Sequence, residues 1–175
     1  MRTSKYRLLR LVATVYVEVL RNIPLLLVVY ICFYTIPQFG LNLDSFTSGL
    51  IALVLNSTAY TVEIFRGGLR AIPKGQYEAA YSLGMRPRQV FTFVTFPQLM
   101  RVSFPALGNQ VAGVILGTSL VTVVGVAELT NVALTVGGAT FRYFEAFVVA
   151  AVFYFVAVQT AHLVWVAIGR RWATI

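Results

Sequence analysis

Charge is what this sequence has least of. Only 11% of its 175 residues are Asp, Glu, Lys or Arg, where a soluble domain carries about 25%, while 58% are hydrophobic. A chain this poor in charge is read as a membrane protein. Cysteine is nearly absent. Cys32 stands alone, which excludes an intrachain disulfide and, with a single histidine, any Cys/His cluster of metal-ligand spacing; no metal site is expected. Cys32 is read as a small apolar residue facing lipid or a neighbouring helix. His162 in "QTAHLVWV" has no companion with which to build a Ser/His/acid set, and is read as a helix-packing or interfacial residue. A Gly-rich loop ending in Gly-Lys-Ser/Thr is missing too: "KGQ" at 74–76 and "LGTS" at 116–119 share its letters but not its spacing. The chain is therefore expected to hydrolyse no nucleotide, and no catalytic residue is assigned.

What is present is apolar length and basic residues between the apolar runs. A net charge of +8 points to nucleic acid only if the bases share one solvated face; here they flank hydrophobic stretches, so no nucleic-acid partner is expected and their role is topological. A spanning helix needs about 20 largely apolar residues, and four segments qualify, at about 23–39, 48–65, 102–126 and 143–169. Arg2, Lys5, Arg7, Arg10 and Arg21 precede the first. Arg66, Arg70, Lys74, Arg86, Arg88 and Arg101 lie between the second and third, Arg170 and Arg171 follow the fourth, and Arg142 alone lies on the other side. The positive-inside bias puts both termini and 66–101 in the cytoplasm, with 40–47 and 127–142 outside. Residues 1–22 form an amphipathic lead-in rather than a cleavable signal, because Glu18 and Arg21 fall where a signal needs its apolar core; Arg21 is expected to snorkel to the interface. The fold class expected is an all-α, multi-pass membrane protein.

A cytoplasmic segment of about 36 residues is longer than a turn requires. Within it "IPKGQYEAAYSLG" predicts a short helix, with Pro73 near its start, the helix formers Glu78, Ala79, Ala80 and Leu83 inside, and Gly84 at its end. "MRPRQVFTFVTFP" restarts at Pro87 and is expected to stop at Pro97, giving two short helices at an angle. Local pattern alone fits an amphipathic connector on the membrane equally well. The spacing adds more: Glu78-Ala79-Ala80, three residues, Gly84, nine residues, Val94, one residue, Phe96-Pro97. It resembles the EAA loop of the membrane-spanning subunits of bacterial ABC importers.

The resemblance extends along the chain and is to the permeases of the polar amino acid uptake family. It is carried by Arg21, Pro24, Leu25 and Leu26, then by Asn56, Ser57, Ala59, Tyr60, Glu63, Arg66, Gly67, Ile72, Pro73, Gly75 and Gln76, and by "FPALGNQ" and "TSLVTVVGVAELT". It implies a type I ABC importer transmembrane domain in a bacterial inner membrane, with 66–101 as coupling loop. It also implies a homodimer or a heterodimer with a homologous permease, two ATPase subunits and an extracytoplasmic amino-acid-binding protein, all within membrane lipid. ATP and Mg2+ would sit on the ATPase subunits, and this chain would bind no cofactor. Glu78, Ala79, Ala80, Gly84, Arg86 and Arg88 are the implied coupling residues, the small ones allowing close approach; for Arg86 and Arg88 anchoring to lipid headgroups is the competing role. Two departures stand out. Family members begin with a further spanning helix, so a shortened subunit, a fragment or a misplaced start is expected. Where the family has a lysine and an acid before Thr-Ser-Leu, this chain has Leu116 and Gly117.

Polar residues inside spans are expensive and face a bundle interior or cavity. The candidate substrate path is Asn56, Ser57, Asn109, Gln110, Thr118 and Ser119, with Thr58, Tyr60, Thr122, Gln159 and Thr160 as further polar positions. For serine and threonine, bonding back to their own helix is the stronger expectation; Asn56, Asn109 and Gln110 carry more weight because each amide needs several partners. Glu63 and Arg66 are expected to form an ion pair or gate. Gly108, Gly113 and Gly117 are read as a close-packing stripe, with a helix break near Pro105. Glu128 and Gly137-Gly138 mark an outer segment, re-entrant or on the surface, that would meet a delivery protein. Two alternatives stay open: an ATP-independent channel or secondary transporter, and a truncated, non-transporting partner of a heterodimeric permease.

Overall fold

Proline and glycine punctuate an otherwise continuous run of helix. The computed structural model describes residues 7–173, with side chains to 170, and every regular element among them is helical. Helix α1 (Arg7–Asn22) ends before Pro24, and α2 (Leu25–Tyr30) continues through a π turn (Ile31–Thr35) and a 3₁₀ turn (Ile36–Phe39). Then come α3 (Ser45–Ala71), α4 (Lys74–Ser82) and α5 (Pro87–Gln89), the last leading through a second π turn (Val90–Thr95) into α6 (Phe96–Gly117) and a 3₁₀ turn (Thr118–Val124). Helices α7 (Leu129–Thr140) and α8 (Tyr143–Ala173) complete the fold.

Three helical runs are long and apolar enough to cross a bilayer: Ser45–Ala71, Pro87–Val124 and Tyr143–Arg170. The first apolar segment is different. Its axis turns by 110° from that of α1, because Pro24 has no N–H to continue the ladder and its ring clashes with the preceding turn. Segment 25–39 alone reaches about 22 Å at the helical rise, short of the roughly 30 Å hydrocarbon core. The count rises to four only if the bent pair serves as one span.

The helix restarting at Pro87 does not stop at Pro97, as its punctuation predicts. It runs on into α6, and the π turn is the reason. The N–H of Phe96 donates to the carbonyl of Phe91, five residues back, and the widened turn admits Pro97 where the α-helical pattern would meet its missing donor. The same device precedes Pro37, where Ile36 N–H donates to Ile31. Nor does α6 break at Pro105.

The core is small. Val28, Val29, Cys32, Ala52, Val121 and Val124 are buried together where α2, α3 and the Thr118–Val124 turn meet, which makes Cys32 helix-facing. Close crossings rest on glycine. A Cβ at Gly68 would collide with Ser103 Oγ and stand 2.8 Å from Leu99 Cδ1, and one at Gly49 would stand 2.9 Å from Val121 Cγ1. Helices α6 and α8 interlock reciprocally: Gly108 receives the Trp165 ring and Gly169 receives Phe104. Those two rings stack with centroids 4.6 Å apart, and Trp165 Nε1 donates to the Phe104 carbonyl at 3.0 Å. The predicted glycine stripe is thus divided. Gly108 and Gly117 serve contacts, whereas a Cβ at Gly113 would meet nothing within 4 Å.

Candidate functional site

Helix α3 runs unbroken into the loop that the sequence singles out. After it, Ile72-Pro73 turns the chain directly into α4. Gly84 takes φ +76; its N–H donates to Tyr81 and that of Met85 to Ala80, the paired bonds of a Schellman ending. Arg86 N–H donates to Gln89 Oε1 at 2.8 Å and so starts the next helix. Glu78, Ala79, Gly84, Arg86 and Arg88 all lie exposed. Ala80 does not: it is 3% exposed, where α4 meets the Val90–Thr95 turn and Val90 is also buried. Its small size closes the loop on itself, so it is not available to a partner. Tyr81 and Leu83, 53% and 81% exposed, stand on the open surface instead. Sequence reasoning assigned neither to the contact, although apolar residues beside a capping glycine are the available signal.

A polar clasp joins α1 to α3. Arg66 pairs with Glu63 through Nε at 2.8 Å and through a second, shorter contact from its terminal nitrogen. Arg21 lies 3.5 Å from Glu63 and over the Tyr60 ring at 5.5 Å. Tyr16 donates to the Leu55 carbonyl at 2.9 Å and Asn56 Nδ2 to the Leu20 carbonyl at 3.2 Å.

Beside this clasp, α2, α3 and α6 line an open-sided cavity of about 280 Å³. Asn56, Ser57, Tyr60 and Gln110 supply its polar groups, Leu25, Leu53 and Val114 its apolar wall, and Gly113 the open space. Three residues of the predicted path therefore meet there. Asn109 is exposed and does not line it. Thr118 and Ser119 donate back to the carbonyls of Ile115 and Leu116, each at 2.7 Å. Tyr60, one of the further polar positions expected from the sequence, lines the cavity as well. Gly117 sits under Leu25 and Leu53, where a Cβ would lie 3.2 and 3.5 Å from their methyl groups, while Leu116 points outward.

At the far end, Glu128 faces inward. Its oxygens accept from the N–H groups of Thr130 and Asn131 at 2.8 and 2.7 Å, capping α7, and from Tyr154 OH at 2.7 Å. Gly137 packs on the Tyr143 ring, and α7 lies along α8. His162, Gln159 and Thr160 lie on the exposed surface of α8. Among the described residues no group of three or more His, Cys, Asp or Glu is placed to hold a metal ion.

Comparison with known proteins agrees with this arrangement. The L-cystine transport system permease protein TcyB of Bacillus subtilis is 40% identical over 171 residues, covering 97% of this chain and 73% of the relative. The arginine transport system permease protein ArtQ of the same organism is 34% identical, covering 96% and 77%. A crystal structure of an amino acid ABC transporter with histidines matches at a TM-score of 0.89 and 38% identity, over 98% of this chain and 80% of that one. The family described as binding-protein-dependent transport system inner membrane component matches residues 1–173. With its helical fold, apolar spans and exposed loop after α3, the chain belongs to that family and is a permease component of an ABC transporter.

Proposed function

We propose that this chain forms half of the translocation path of an ATP-driven importer of polar amino acids and takes its drive through the 66–101 loop. The carrying observation is the continuity of α3. One helix lines the cavity at Asn56, Ser57 and Tyr60, and about 16 Å further along it hands directly to α4 through Ile72-Pro73. A push on α4 by an ATPase subunit is thereby a push on the cavity wall, which is the kind of rigid shared element that coupling needs. Glu78 and Ala79 face that subunit, Gly84 fixes the angle of the loop, and Arg86 and Arg88 pair with acids on it.

The cavity is lined by amide, hydroxyl and phenol groups without a formal charge. It suits the backbone and side chain of a polar amino acid. A wall of uncharged groups favours substrates uncharged in the side chain. The assembly has a second permease, this chain's copy or a homologue, two ATPase subunits carrying ATP and Mg2+, and an extracytoplasmic binding protein that meets the 127–142 segment. Both termini lie in the cytoplasm by the distribution of basic residues. The test is uptake into proteoliposomes holding the assembled transporter, with ATP depleted while the membrane potential is held. Uptake that persists returns the protein to the class of channels and secondary transporters.

A further inference from the structure

A groove of about 700 Å³ opens between α1 and α3, at the end where α3 runs into α4. Arg7, Arg10, Arg66 and Arg70 line it above Leu11 and Leu69. Glu63 holds Arg66, but no carboxylate pairs with Arg7, Arg10 or Arg70 among the described residues. Three guanidinium groups on one groove, none of them paired with a carboxylate among the described residues, attract an anion.

The surroundings of the groove select the kind of anion. On α1, Leu11 is exposed one turn on from Arg7, on the face that lines the groove, whereas Leu8, Val12, Val15 and Val19, also exposed, form an apolar stripe on another face of the helix. A ligand with its negative group on the arginines would therefore have the side chains of Leu11 and Leu69 against its hydrocarbon. Basic pockets between membrane helices bind phospholipid headgroups on this principle, and an amphipathic helix lies at the interface for the same reason.

We infer that the groove between α1 and α3 is a binding site for an anionic phospholipid, its phosphate held by Arg7, Arg10 and Arg70 and the start of an acyl chain lying against Leu11 and Leu69. A lipid seated there would tie α1 to α3 across the same clasp that Arg21, Glu63 and Arg66 form deeper in the molecule.

The test is native mass spectrometry of the chain assembled with its ATPase subunits, titrated with dioleoyl phosphatidylglycerol or dioleoyl phosphatidylcholine. The wild type is expected to bind phosphatidylglycerol at least about tenfold more tightly than phosphatidylcholine. The Arg7→Gln/Arg10→Gln/Arg70→Gln variant loses that preference, leaving phosphatidylcholine binding and thermal unfolding unchanged, and the triple Arg→Lys variant keeps most of it. Millimolar inorganic phosphate leaves the lipid bound. The proposal is overturned by wild-type preference in the triple Gln variant, by equal binding of the two lipids, or by displacement with inorganic phosphate, which makes the groove a site for soluble anions. It is equally overturned if the assembled complex binds no phosphatidylglycerol while the isolated chain does, because a partner protein then covers the groove.

Discussion

Asn56 Nδ2 donates to the Leu20 carbonyl across 3.2 Å, fixing α3 to the last turn of α1. In an unbroken helix that carbonyl accepts from the N–H four residues on; here that residue is Pro24, which has none. The side chain of one helix thus replaces a backbone donor that the corner between α1 and α2 removed. Asn56 also lines the cavity, so the structure gives it a positioning task beside any contact with substrate.

A double-mutant cycle tests that relationship. Asn56→Leu is expected to cost about 1 kcal/mol, the scale for losing a hydrogen bond to a half-buried carbonyl, measured by thermal unfolding in detergent. In a Pro24→Ala background the carbonyl regains an N–H and the cost of Asn56→Leu should fall by at least half. Strict additivity of the two changes would show that the bond does not compensate for the proline.

Adjacent glycines on α3 should behave oppositely. A methyl at Gly67 meets nothing within 4 Å, whereas one at Gly68 collides with Ser103 and Leu99. Gly67→Ala is expected to stabilise by up to about 1 kcal/mol through helix propensity, and Gly68→Ala to destabilise by about 1–3 kcal/mol by forcing α3 from α6. Ser103 Oγ has no hydrogen-bond partner among the described residues, so Ser103→Ala should recover part of the Gly68→Ala loss. Equal unfolding temperatures for the two glycine variants would contradict the crossing.

At the loop, Gly84→Pro cannot adopt φ +76, because proline is fixed near −65°. It should abolish ATPase-subunit co-purification and uptake while membrane insertion stays normal. Glu78→Lys should do the same by reversing an exposed charge, whereas Ala80→Leu should fail through misfolding of the loop, since Ala80 is buried. Wild-type co-purification and substrate-stimulated hydrolysis in Gly84→Pro and Glu78→Lys would remove the loop from the coupling path.

For the cavity, Gln110→Leu is expected to weaken uptake by about tenfold, the scale of one lost polar contact, with ATPase docking intact. Asn109→Leu, one residue away but outside the cavity, should have a much smaller effect. Initial-rate uptake over a substrate series separates them, and the reverse ranking would move the path to the other face of α6.

Pattern reading worked where the cause is local. Gly84 ends α4 because a left-handed residue is cheapest without a Cβ, and that cost is the same in any surroundings. The Glu63–Arg66 pair follows from a spacing of three along one helix. Reading failed where a neighbour intervened. Pro97 and Pro105 look like stops, but π widening absorbs the first, and α6 continues through the second beside the interlocked Phe104 and Trp165. The sequence marks Glu128 only as part of an outer segment; that its carboxylate caps α7 and accepts from Tyr154, 26 residues on, depends on where α8 packs.

The sequence by itself determined the apolar runs, the basic residues between them, the helical loop with its capping glycine and the resemblance those positions carry. Each of these depends on composition or on residues within one or two turns of each other. Tertiary structure alone decided which polar side chains share the cavity, that Asn56 repairs the corner at Pro24, that Ala80 is hidden while Tyr81 and Leu83 are open, and that four arginines from two helices line one groove. Those facts depend on which faces of distant helices meet, and helical periodicity fixes the faces of each helix without fixing its neighbour.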